Sequence, residues 1–342
     1  MAQVTTTAAQ GRPPGGDGRT AVRPSAAAQG LARFAAQRLA RLVISVFILV
    51  TATFFMIQAI PGNPAADTLG QQATKQLIQL RTRQLGLDKP LLTQYWDYLT
   101  GVARGHLGTS FISTEPVSTI LAARTPPTLE LAIPAFLIVI LVSVPLGFVM
   151  ALRTQDGRGE RTRLAFIAVT GLGNSTPDFV WATLFSVVFI VGLKLFPVAG
   201  DTGFASHVLP VAALVIGPAA TLSRIVRVEA LKVLASDYVL AARGRRLPSW
   251  LLYLRHVLPN MLTAALTYGG MVFAGLIAGT VLVENVFAWP GLGTEVVQAV
   301  VDKDYPVIQG ILLVLGTICL VTQLLVDITL GVLDPRSRIR ES

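Results

Sequence analysis

Charge is scarce in this sequence. Asp, Glu, Lys and Arg make up 14% of its 342 residues, against about 25% in an ordinary soluble domain. Cysteine is nearly absent, and the single Cys319 excludes an intrachain disulfide. Histidine occurs only as His106, His207 and His256, far apart in the chain, which gives no support to a histidine metal centre. No GxxxxGK[ST] phosphate loop, HExxH, CxxC or GxSxG pattern occurs. An intramembrane enzyme is therefore unsupported. Residues 1–30 lack an apolar core segment and do not read as a signal peptide. Their Ala, Gly, Pro, Thr and Arg composition predicts a disordered tail that cannot bury enough apolar surface to fold.

What the sequence does have is long apolar runs, with 52% hydrophobic residues. A bilayer core of ~30 Å takes about 20 apolar residues in a helix. Six stretches meet that length: Leu39–Ile60, Thr128–Leu152, Leu164–Leu195 with an interruption at Pro177, Val208–Ile225, Met261–Val286 and Val307–Leu333. The expected class is an all-α membrane protein with six transmembrane helices. The net charge of +9 fits Lys and Arg collected in inner loops better than nucleic-acid binding, for which there is no motif. Segment 153–163 carries Arg153, Arg158, Arg161 and Arg163, and segment 224–260 carries seven Lys or Arg. The alternate segments 196–207 and 287–306 hold only Lys303. Both termini are thus expected in the cytoplasm and segment 61–127 outside. In that outer segment GQQATKQLIQLRTRQLGL and LLTQYWDYLTGVAR each predict a short helix. Pro61, Gly62 and Pro64 end the first span, and Pro126-Pro127 introduce the second.

Glu130, Asp178 and Asp327 fall within spans, where a charge normally faces a bundle interior or a wet cavity. A transport path and a structural ion pair are both open readings. Asn174-Ser175-Thr176-Pro177-Asp178 lies near mid-bilayer, where a broken helix is tolerated if it lines a cavity. A plain proline kink is the competing reading. Gly275 and Gly279 form a GxxxG spacing in the fifth span, which lets helices approach closely.

Three stretches in order carry a family resemblance. RFAAQRLARLVISVFILVTATFFMIQAIPGNPA resembles the first span of peptide-type ABC importer permeases. DYVLAARGRRLPSWLLYLRHVLPN looks like their cytoplasmic "EAA" coupling loop. VENVFAWPGLGTEVVQAVVDKDYPVIQG, followed by LLVDITLGVLDPRSR, is similar to their external WPGLG and DYP elements and terminal LDPR. The outer segment also fits through LGLDKPLLTQYWDYL and GHLGTSF, so the resemblance covers about residues 31–340.

The resemblance implies a non-catalytic "B"-type permease subunit of a bacterial inner-membrane dipeptide or oligopeptide importer. It implies an importer-permease (MetI-like) core over 128–334, a first transmembrane helix over 31–60 and a small external helical subdomain over 61–127. A coupling loop over 229–260 and a cytoplasmic tail over 335–342 complete the expectation. The implied partners are a second homologous permease, two cytoplasmic ATP-binding cassette subunits, an external substrate-binding protein, the peptide and membrane lipid. No cofactor is expected in this chain, since ATP and Mg²⁺ belong to the partner subunits. The same architecture can import nickel–chelate, glutathione or another small ligand. A self-sufficient secondary transporter would usually show internal repeats and would leave the coupling loop unexplained.

Site residues follow from the same match. Asp237, Tyr238, Ala241, Ala242, Arg243, Arg245, Leu247 and Pro259 are expected in ATPase coupling. Asp237 can cap a helix beginning at Tyr238, Ala241 and Ala242 leave a small-residue surface, and Pro248 suits the first turn of a second short helix. Asn174, Ser175, Thr176, Pro177 and Asp178 are expected along the translocation path. Trp289, Pro290, Gly291, Gly293, Asp304 and Tyr305 are expected at an external gate or docking face, with interfacial anchoring of Trp289 and Tyr305 as the simpler reading. The family usually has Gly where this chain has Arg246. Either the turn has moved toward Gly244 or Arg246 adopts a conformation needing no positive φ, and the first coupling helix is expected to end near Arg243–Arg245.

Overall fold

The computed structural model describes residues 26–59, 66, 69, 74–157, 159–198, 200–244 and 247–333. The chain is built of α-helices, and among the described residues the only β-type pairing is an isolated bridge between Thr109 and Pro116. Helix α1 (Ala26–Gln58) comes first, and the shorter α2 (Lys75–Gln84) and α3 (Leu91–Ala103) follow. Next come α4 (Val117–Thr154), α5 (Glu160–Ser175) and α6 (Asp178–Phe185), the last prolonged by a π-helical segment at Ser186–Gly192. Helix α7 (Phe204–Leu234) leads into α8 (Asp237–Gly244) and α9 (Ser249–Leu252). A second π-helical turn at Tyr253–Val257 joins α9 to α10 (Leu258–Phe287), followed by α11 (Leu292–Val301) and α12 (Tyr305–Leu333). Five of these helices are long and apolar enough to cross a membrane, and the bent pair α5–α6 makes a sixth span.

Two boundaries depart from the sequence reading. Helix α1 begins at Ala26, inside the stretch expected to be a disordered tail. Helix α4 begins at Val117 and runs straight through Pro126 and Pro127, which were expected to precede the span. Each proline removes one helical hydrogen bond. The Thr125 hydroxyl donates to the Leu121 carbonyl at 2.6 Å and the Thr128 hydroxyl to that of Arg124 at 3.4 Å, in the turns around the proline pair. The interruption read at Pro177 is a full break, of 89° between α5 and α6, and not the plain proline kink that competed with it. Thr176 is held extended (φ −98°, ψ 119°), as a residue before proline prefers. The expected span end at Pro61, Gly62 and Pro64, residues 1–25 of the expected tail, and 335–342 lie outside the described residues.

Helix α4 packs most extensively on α7, α10 lies across both, and α1 lies on α12. The inner half of the core gathers Val139, Leu222, Val226, Val257 and Met261, and the outer half Leu131, Leu214, Leu276, Val283 and Trp289. Helix α1 exposes Val43, Ile44, Phe47 and Ile48, the apolar flank expected of a span that faces lipid. At the inner end Arg38 pairs with Asp327 at 2.8 Å, which ties α1 to α12 and takes up one of the three acidic groups read in spans.

Helix α3 lies against the C-terminal part of α1. Tyr95 and Thr51 share a hydroxyl hydrogen bond at 2.9 Å, and Tyr98 and Thr53 one at 3.3 Å. The Tyr95 and Tyr98 rings pack on Phe54. Burial pushes the Tyr98 phenol up to about 12, so it stays protonated throughout the physiological range.

Candidate functional site

The break between α5 and α6 lies on the wall of a cavity of about 660 Å³. Asn174, Thr176, Pro177 and Asp178 line it, whereas Ser175, expected with them, does not. The facing wall comes from α7 through Gly217 and Thr221, and from α10 through Tyr268, Met271 and Gly275. Thr221 and Asn174 are hydrogen bonded through their side chains, which fixes α5 to α7 just below the break. The glycine spacing in α10 serves two local purposes. Gly275 opens onto free space, while a Cβ at Gly279 would lie 2.9 Å from Asp178 Oδ2. On the other side a Cβ at Gly217 would lie 3.1 Å from Asp178 Oδ1. The carboxylate is thus seated between two helices at positions where only glycine leaves room for it.

At the outer end, Trp289 and Tyr305 are buried, not at the lipid headgroups as simple interfacial anchors would be. The Trp289 indole N–H donates to the Pro127 carbonyl at 2.9 Å, beside the proline pair inside α4. Its ring meets His207 edge to face at 4.6 Å, and His207 Nε2 lies 3.8 Å from Glu130 Oε2. Gly291 and Gly293 are buried on a carboxylate that sequence reasoning passed over, that of Glu284, which is fully buried. Glu284 Oε2 accepts the Gly293 N–H at 2.6 Å and the Thr294 N–H at 3.4 Å. This carboxylate sits at the N-terminus of α11, where the helix dipole favours negative charge. The signal available in the sequence was an acidic residue in an apolar span, nine positions before a glycine-rich turn.

Asp304 clamps the preceding loop. Its carboxylate accepts the Ser110 hydroxyl and, at 3.0 Å, the Phe111 N–H. Arg124 on α4 pairs with Glu295 on α11 at 3.0 Å. Removing the clamp strands two polar groups, one of them a buried hydroxyl. Asp304→Ala is accordingly expected to cost about 2–3 kcal/mol, to lower Tm in detergent by several degrees, and to open residues 104–116 to limited proteolysis. An unchanged digestion pattern would show that the clamp is dispensable.

On the inner side, α8 and α9 form a short hairpin between α7 and α10. Asp237 is the first residue of α8 rather than its cap, and the Ser236 carbonyl accepts from Val239 and Leu240 N–H groups. Helix α8 ends at Gly244; Arg245 and Arg246, and with them the turn itself, lie outside the described residues. Pro248 precedes α9, and its carbonyl accepts the Leu251 N–H at 3.0 Å. The two alanines differ in role. Ala242 is 8% exposed and packs with Val239, Leu252 and Val257 in this chain's own core, so it does not offer the surface expected of it. Ala241 is exposed, together with Tyr238, Leu240, Arg243, Trp250 and Leu254. Leu247 is half-buried against the same core and Pro259 is exposed. Apolar side chains are thus exposed on α8, on α9 and on the π-helical turn that follows.

These features define a multi-pass, all-α membrane protein with a central open cavity, a pinned outer turn and an inner hairpin. Residues 143–339 match the family of binding-protein-dependent transport system inner membrane components, and residues 31–132 match that family's N-terminal membrane component. The chain belongs to this family. It is 35% identical to the dipeptide transport system permease protein of Lactococcus lactis subsp. cremoris over 310 residues, 90% of this chain and 100% of the relative. It is 34% identical to a putative peptide transport system permease protein of Brucella abortus, covering 88% and 98% of the two chains. The glutathione transport system permease protein of Salmonella typhimurium is also 34% identical, with 89% and 98% covered. The inward-facing MetNI methionine ABC transporter has the same fold: TM-score 0.54 at 17% identity, over 63% of this chain and 96% of that one.

Proposed function

We propose that this chain is one of two membrane-spanning subunits of an ATP-driven, binding-protein-dependent importer of di- or oligopeptides. The observation that carries this reading is the hairpin α8–α9. Its exposed Tyr238, Leu240, Ala241, Trp250 and Leu254 form an apolar patch, and such a patch on a rigid support marks a protein contact. The sequence holds no phosphate-cradling loop. The patch therefore docks on cytoplasmic ATP-binding subunits that carry ATP and Mg²⁺, and it transmits their movement to α7 and α10. Both termini face the cytoplasm of a bacterial inner membrane, a placement supported by the arginines of 153–163 and 224–260. The cavity at the α5–α6 break is this chain's half of the translocation path, with a homologous permease supplying the other half. The pinned turn at Trp289–Gly293 and the Asp304 clamp face the external binding protein. The dipeptide, peptide and glutathione relatives support a peptide cargo, glutathione being a tripeptide itself.

Deletion of the chain is expected to reduce uptake of labelled di- and oligopeptides at least tenfold, with recovery on complementation. Uptake of a nickel–chelate that falls while peptide uptake holds would replace the cargo assignment and leave the architecture standing.

A further inference from the structure

We propose that Asp178 receives a protonated amine of the cargo as it passes the α5–α6 break, a step that rests on reading the cavity as the translocation path. The other acidic groups of the spans have partners. Asp327 pairs with Arg38 at 2.8 Å, Glu284 accepts backbone N–H groups of the outer turn, and Glu130 lies 3.8 Å from His207. Asp178 has none: among the described residues no ion pair or hydrogen bond reaches its carboxylate. Among the described residues no Lys, Arg or His lines the cavity it borders, although hydroxyl and amide groups from Thr176, Thr221, Tyr268 and Asn174 do.

The carboxylate is also held in place. Gly217 and Gly279 flank it so closely that any Cβ there would press on Oδ1 at 3.1 Å or Oδ2 at 2.9 Å. It is the first residue of α6, at the end of the helix where backbone N–H groups lack partners within the helix. A fixed anion on a half-buried wall without a countercharge is costly. A compact ammonium offers three N–H donors, enough for the carboxylate and a neighbouring hydroxyl together. Because the cavity is open on one side, the contact holds a passing amine weakly enough to release it, as conduction requires.

The test uses the complete importer, purified with its partner subunits and binding protein and reconstituted in proteoliposomes, with radiolabelled alanyl-alanine as probe. Asp178→Asn is expected to reduce uptake about tenfold while binding-protein-stimulated ATP hydrolysis and subunit co-purification persist. Asp178→Glu is expected to retain most uptake. In a Cys319→Ser background, Asp178→Cys is expected to regain uptake when a thiosulfonate adds an anionic sulfonate, but not when one adds a quaternary ammonium. Wild-type uptake by Asp178→Asn, or equal effects of the two reagents, would overturn the proposal. Loss of the second permease from the purified complex of Asp178→Asn would also overturn it, by showing that the carboxylate pairs with that subunit. The path reading is tested separately by Gly275→Cys, whose modification by either reagent is expected to block uptake. Unblocked transport there removes the path reading, whereas blocked transport with a neutral Asp178→Asn removes only the amine contact.

Discussion

Ala241→Arg is expected to reduce cargo uptake at least tenfold in a protein that still inserts and melts like the wild type, while Ala242→Arg is expected to fail at the level of folding. The two residues are adjacent, so the contrast isolates which face of α8 meets a partner. Ala241 is exposed next to Tyr238 and Leu240, and an arginine there alters only the outer surface. A tenfold loss corresponds to about 1.4 kcal/mol on the docking equilibrium, well within what one residue at the centre of a contact carries. Ala242 packs with Val226, Leu252 and Val257. A guanidinium there is either buried without a partner or forces α8 off α7, at a cost of several kcal/mol. Co-purification of the ATP-binding subunits and Tm in detergent separate the outcomes. Full uptake by Ala241→Arg would remove the exposed alanine from the contact and with it the main support for docking through this face.

The distinction was not available from the sequence. Two alanines beside each other in DYVLAARG look equivalent until the register of α8 is set by its packing under α7 and by the π-helical turn after α9, both of which are tertiary. The spans themselves were legible, because ~20-residue apolar runs leave little choice of structure in a bilayer. Their ends were less so. Pro126 and Pro127 look like breakers, yet α4 runs through them, and the indole of Trp289, 162 residues away, on the Pro127 carbonyl is a tertiary contact that the local sequence does not show. The GxxxG pair in α10 was read as a helix–helix approach. In the structure Gly279 instead makes room for a carboxylate from α6, a neighbour that no local pattern announces.

The same limit hid Glu284, and the second large expected effect follows from its surroundings. Gly293→Ala is expected to destabilise the outer turn by about 3 kcal/mol or more, near the upper end for an overpacked core site. A Cβ at Gly293 would lie 2.5 Å from the Val281 Cα and 3.0 Å from its carbonyl oxygen. These are backbone atoms within the last two turns of α10, which cannot move aside as a flexible side chain can. The same methyl would stand 2.8 Å from Glu284 Oε2, the acceptor of the Gly293 N–H. Two substitutions of Glu284 divide the packing term from the hydrogen bond. Glu284→Gln keeps an oxygen for the Gly293 N–H and removes a buried charge whose Oε1 has no hydrogen-bond partner among the described residues, so little loss of Tm is expected. Glu284→Ala leaves the turn's N–H groups unmet and a cavity behind them, and a loss comparable to that of Gly293→Ala is expected. Each variant is read by Tm in detergent and by protease sensitivity around residues 288–294. If Glu284→Gln were as damaging as Glu284→Ala, the ionised carboxylate itself would be what holds α11 at the mouth of the bundle. If Gly293→Ala melted like the wild type, the turn would have to be free to lift away from α10, and it could not serve as the fixed outer face that a binding protein meets.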